Sequence, residues 1–190
     1  MSAVTSEKHQ DNLKMYVNDV IGLERDIINA IEGQLEDDRV KANPQLAGVL
    51  RGIVAGANSR LDTLKSISED EGGTFGAAIK EAAMSVTGVL AGIYGKLREH
   101  PLSRIVRDDR MAMNMTETSY AMLYTLALGI GHGRCADLAL SGINTAAPQV
   151  LQLTDLLPQI ILQELAQDAP LENPDVADKV VDVIHRAWGA

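Results

Sequence analysis

Glu24 and Glu117 are carboxylates set on otherwise apolar stripes, Glu24 between Ile21 and Ile27 and Glu117 between Met113 and Tyr120. Intervals of three and four residues place side chains on one face of a helix, so both carboxylates are expected to point into a core. A core carboxylate has few options: it ligates a metal, takes up a proton, or meets a cation or hydroxyl that satisfies it. Divalent metals accept such oxygens, and Asp62 could join Glu24 and Glu117 in a single divalent site. The metal-free option is a polar cluster in which Arg51, Arg60 or Arg110 supplies the charge and Tyr16, Tyr120 or Tyr124 donates hydrogen bonds.

Other chemistry is sparsely supported. The four histidines, His9, His100, His132 and His185, fall at a terminus, in two loops and in the tail, and none is spaced for a nucleophile and base. His132 stands near Arg134 and Cys135, and the expected roles are a helix cap for the histidine and a core position for the lone cysteine. Gly129, Gly131 and Gly133 lack the preceding strand that a dinucleotide fingerprint requires, and are expected to end a helix. Met111, Met113, Met115 and Met122 are expected to be flexible core.

Elements must hold these residues in place, and the composition says which kind. The chain of 190 residues fits a single domain, with 46% hydrophobic residues but only 3% aromatic ones, a palette suited to packed helices. A net charge of -9 argues against a phosphate backbone or an anionic bilayer as partner, and nucleic-acid binding is not expected. The residues from Met1 to Asp11 are polar and mixed in charge, so a cytoplasmic location is expected. The nearly uncharged stretch Thr118 to Gly133 is too short to span a bilayer.

Apolar periodicity predicts helix A over Thr5 to Asp37, helix B from Pro44 to about Gly72, helix C over Ser103 to Gly129, and helix D from Arg134 towards Leu157. Helix D is expected to turn Ala136, Leu140, Ile143, Ala147, Val150, Leu151 and Thr154 inward, to kink at Pro148, and to stop before Pro158, with a separate short helix over Gln159 to Gln167. A last helix from Pro174 to Trp188 would fold back on the bundle. The glycine- and alanine-rich segment Thr74 to Glu99 is expected to be a helical crossover, and Lys80, Lys96, Arg98 and Arg104 make residues 74–104 the candidate for contact with a membrane surface. The predicted architecture is all-α: two helical hairpins joined by a long helical crossover, with a core over residues 5–166 and a C-terminal extension over 167–190.

Met15 to Glu24 in helix A, and Val106 to Asp109 through Tyr120 to Leu123 in helix C, resemble the bacterial ferritin-like four-helix-bundle family of the stress-associated type, formerly a domain of unknown function. The resemblance covers about Asp11 to Leu165 and implies a di-iron site in which two helices each give one Glu and the other two each give a Glu-x-x-His motif. Glu24 and Glu117 fill the lone-Glu positions. Helix B offers Asn58-Ser59-Arg60-Leu61 instead of the paired motif, helix D offers Ile143 to Pro148, and no Glu in the chain is followed three residues later by His. The nearest pattern is Asp182-x-x-His185, in the terminal helix. Non-haem iron sites take about three protein ligands per metal, so a degenerate centre with no cofactor is expected. The first functional reading is a non-catalytic protein acting through assembly, as a homodimer, or through partner binding. The alternatives are iron or another divalent metal at Glu24, Asp62 and Glu117, and a membrane-surface binder using segment 74–104.

Overall fold

A computed structural model describes residues 3–71, 76, 77, 80 and 101–189, and every regular element among them is helical. In chain order these are α1 (Ala3–Leu35), α2 (Asp38–Lys41), α3 (Pro44–Glu71), α4 (Leu102–Ile130), α5 (Gly133–Asp168) and α6 (Ala177–Trp188). No helix among the described residues is long and apolar enough to cross a membrane. The predicted helical crossover and the rest of segment 74–104, apart from Gly76, Ala77, Lys80 and residues 101–104, lie outside the described residues.

The four long helices surround one core in the cyclic order α1, α3, α5, α4, each packed on two neighbours. Side-chain pairings fix the directions. Gln34 meets Asp109 and Glu24 meets Tyr120, so α1 and α4 are antiparallel. Arg110 meets Thr154 and Ser103 meets Glu164, which makes α4 and α5 antiparallel as well. Helix α1 therefore runs parallel to α5 on one diagonal. Two apolar clusters fill the bundle, one around Leu23, Ile27, Leu50, Ile53, Met113 and Leu153, the other around Leu13, Val17, Leu64, Tyr120 and Leu123.

Local chemistry sets the helix ends. Asp37 caps α2, its carboxylate accepting from the Arg39 backbone N–H, and Asn43 accepts from the Leu46 N–H at the start of α3. Helix α4 opens at Pro101 without a cap from its own side chains, and Glu164 of α5 accepts from the Ser103 N–H instead. At the other end of α4, Gly131 takes the left-handed conformation at φ +75° while the His132 N–H reaches the Ala127 carbonyl, a Schellman-type stop.

Three expectations are corrected. Helix α5 runs unbroken through Pro148 and Pro158 to Asp168, with no separate helix after Pro158. Each proline deletes one helical N–H, but Val150, Leu153, Leu156 and Ile160 continue one buried stripe across Pro158, itself buried, and that packing outweighs the missing bond. Leu140, expected inside, is exposed, because Leu138, Ala139 and Gly142 form the inner face at that level. Only Met113 of the expected methionine core is buried; Met111, Met115 and Met122 lie outside on one stripe of α4.

A Cβ added at Gly131 meets no atom within 4 Å, so only the backbone opposes a side chain there. The left-handed conformation costs an ordinary residue about 1–2 kcal/mol. Gly131→Ala is therefore expected to lower unfolding stability by that amount in urea titration, and an unchanged midpoint would contradict the cap.

Candidate functional site

The stripe that carries Glu24 on α1 faces the stripe of α3 formed by Leu46, Leu50, Ile53, Ala57, Arg60 and Leu64. Arg60 thus occupies a core position by its spacing, and it is only 3% exposed beside a Glu24 that is fully buried. The guanidinium meets the carboxylate with two parallel bonds, Nε donating to Oε1 at 2.5 Å and Nη2 donating to Oε2 at 3.0 Å. Two-point pairing of planar groups is the strong form of this interaction and suits arginine rather than lysine.

The other long helices complete the cluster. Tyr120 of α4 donates from its hydroxyl to Glu24 Oε1 at 2.7 Å, and Arg60 Nη1 donates to Thr145 Oγ1 of α5 at 2.7 Å. Thr145 passes the chain on, donating to the carbonyls of Ser141 and Gly142 in its own helix. The Arg60 guanidinium also lies over the Tyr120 ring, 5.6 Å from its centroid, where a cation is attracted to the aromatic face. One connected polar group thereby takes a side chain from each of the four long helices.

Two glycines make room for it. A Cβ at Gly142 would stand 2.4 Å from the Tyr120 ring, so the bare α5 backbone is what lets the ring lie against that helix. A Cβ at Gly56 would come within 3.1 Å of Arg60 Nη1.

The electrostatics follow from the burial. Burial opposes the charge on Arg60, yet the bond to Glu24 more than compensates and holds its pKa above the ordinary arginine value. The Tyr120 phenol is pushed well above its usual value, first by burial and then by the negative charge of Glu24. The cluster is thus a carboxylate, a guanidinium and a neutral phenol. Three of the roughly four acceptor positions of the carboxylate are occupied, and a fixed cation sits where a metal ion would have to approach.

The metal candidates take different places. Glu24 is at the centre; Glu117, one turn before Tyr120, is half-buried and has no hydrogen bond or ion pair among the described residues; Asp62 is exposed. At the level of Glu117 the buried residue is Thr116, which donates to the Ala112 carbonyl. Among the described residues no three His, Cys, Asp or Glu side chains converge as a metal site requires. Of the candidate partners for Glu24, the structure selects Arg60 and Tyr120; Arg51 is exposed, and Arg110 donates to Thr154. His132 is the N-cap of α5, accepting from the Cys135 N–H at 3.3 Å, and Cys135 is buried.

A second buried pair lies outside the residues expected from the sequence: Gln34 Nε2 donates to Asp109 Oδ1 at 2.8 Å, both residues being almost fully buried. The signal was present. Gln34 falls three residues after Ile31, and Asp109 three after Val106, on the same stripes that carry Glu24 and Tyr120.

No protein-family model, curated protein or solved structure matches the chain.

The raised Tyr120 pKa gives a signed pH dependence. In the unfolded chain a phenol loses its proton near pH 10, whereas folded Tyr120 retains it. Above about pH 10 the unfolded state therefore holds fewer protons and stability falls as pH rises, while below it Tyr120 adds no slope. Urea unfolding at about pH 9 and about pH 11 should show a steeper loss for the native chain than for Tyr120→Phe. Equal losses would show that the phenol titrates normally.

Proposed function

We propose that this protein is a non-catalytic, ferritin-like helical bundle without a resident metal, acting through assembly as a dimer or through partner binding in bacterial stress physiology. The observation that carries the reading is Arg60 in the bundle centre. Its guanidinium supplies internally the positive charge that iron supplies in a di-iron bundle, and it consumes the bonding capacity of Glu24. A buried carboxylate neutralised in this way is satisfied without a proton or an ion.

Two features support the rest of the reading. Leu46 and Leu50 of α3 cluster with Ile27 and Ile31 of α1, and Leu64 and Ile67 with Leu13 and Val17, so α3 is antiparallel to α1 and runs in the same direction as α4, the arrangement expected of two antiparallel hairpins. Outside, Met111, Met115 and Met122 expose a stripe of flexible, polarizable side chains, which suits an adaptable protein contact.

Ferrous iron added without oxygen should bind this protein no more tightly than an unrelated protein of similar net charge, and subsequent oxygen consumption should stay at background. Ligand number sets that outcome, since one carboxylate already engaged by arginine neither displaces enough water nor fixes a geometry. Uptake of two irons per chain, abolished by Glu24→Gln, would overturn the reading.

A further inference from the structure

Helix α6 is strongly one-sided, with Val180, Ile184 and Trp188 on its inner face and its N-cap residue Val176 also lining the cleft, yet none of its residues is fully buried. Val180 remains 40% exposed and Trp188 47%. Apolar surface of this kind is costly to leave against water. Between this face, the end of α5 and one side of α4 lies a cleft of about 540 Å³, within the range of roughly 300–1,000 Å³ typical of small-molecule sites. Its walls include Leu157, Ile161, Leu162, Val180, Ile184 and Trp188.

The polar groups of the cleft have one sign. Arg107 and Arg110 line it, and among the described residues no carboxylate does, in a chain whose net charge is -9. The two arginines differ in availability. Arg107 is bound through Nε and Nη2 to the neighbouring Asp108 carboxylate, which largely neutralises it. Arg110 is held without being neutralised: its Nε donates to Thr154 Oγ1 at 2.7 Å, and its guanidinium lies over the Trp188 ring at 5.0 Å. Its two terminal nitrogens have no partner among the described residues, so an oriented, half-buried fork faces an apolar slot.

We infer that the cleft under α6 binds one long-chain monocarboxylate, its alkyl tail between α5 and α6 and its carboxylate on the Arg110 fork. One unneutralised guanidinium matches a monoanion, and its planar terminal nitrogens match the two oxygens of a carboxylate. The apolar walls account for the tail, with α6 forming one side of the slot and α5 the other. The site shares no side chain with the Glu24–Arg60 cluster and does not depend on the metal-free reading.

Trp188 is the only tryptophan in the chain, so its fluorescence reports on this cleft alone. Titration with dodecanoate below its micellar concentration should change the Trp188 emission saturably, with one molecule bound per chain by calorimetry. Dodecanol, with the same tail and no charge, should bind about tenfold or more weakly, the factor expected when a charge-assisted hydrogen-bonded pair is lost. Arg110→Gln should reduce dodecanoate affinity by a similar factor without changing dodecanol binding. Ile161→Glu, at a position 39% exposed and so tolerant of a polar residue, should abolish dodecanoate binding by placing a like charge in the slot. Absence of saturable binding, equal affinity for acid and alcohol, or association with phosphatidylglycerol vesicles without uptake of the free acid would each overturn the inference.

Discussion

The bidentate contact between Glu24 and Arg60 is the constraint around which the bundle is arranged. Removing two ions from water costs several kcal/mol each, and their attraction repays that only when the geometry is good and the remaining polar atoms are satisfied. The structure meets both conditions with Tyr120 and Thr145, so satisfying one ion pair requires four helices to be in one register. Gly142 and Gly56 belong to the same requirement, because a methyl group at either would crowd the ring or the guanidinium. The Gln34–Asp109 pair ties α1 to α4 a second time on the same faces. Slipping α1 along α4 would leave buried polar groups unpaired at two levels at once, a penalty that apolar side chains alone would not impose.

Much of this was legible in the sequence, for a definite reason. Helical periodicity is a local property, so the long helices, the glycine stop at Gly131 and the inward direction of Glu24 could be read from spacing. The core position of Arg60 was written in the interval between Ala57 and Leu64. What could not be read was the choice among partners. Arg51, Arg60 and Arg110 were equivalent candidates until the helices were assembled, and only Arg60 lies opposite Glu24. At Leu140 hydrophobicity points the leucine inward, whereas close approach to Tyr120 requires Gly142 to occupy the inner face of α5. Pro158 reads as a stop because its local cost is visible in the sequence and the packing on either side of it is not.

With the centre of the bundle occupied by its own polar cluster, the surfaces proposed for binding lie on the outside. The methionine stripe of α4 and the apolar, arginine-bearing cleft beside α6 are separate surfaces. Helix α6 is lightly attached, with no fully buried residue. His185 meets Asp155 at 2.7 Å on its exposed edge, and Trp188 rests on Arg110. Such a helix can adjust to an occupant without disturbing the central cluster, whose members all lie on the four long helices.

The most direct test of this account is a comparison of unfolding free energies for the native chain, Glu24→Leu, Arg60→Leu and the double variant that carries both substitutions. Removing the arginine alone leaves a buried, unpaired carboxylate, and the expected loss is about 3–5 kcal/mol. Removing both charges should restore most of that loss, since a buried ion pair replaced by apolar groups of similar volume is often neutral or stabilising. A near-neutral Arg60→Leu, or a double variant as unstable as the sum of its single substitutions, would contradict the claim that this pair sets the register of the bundle.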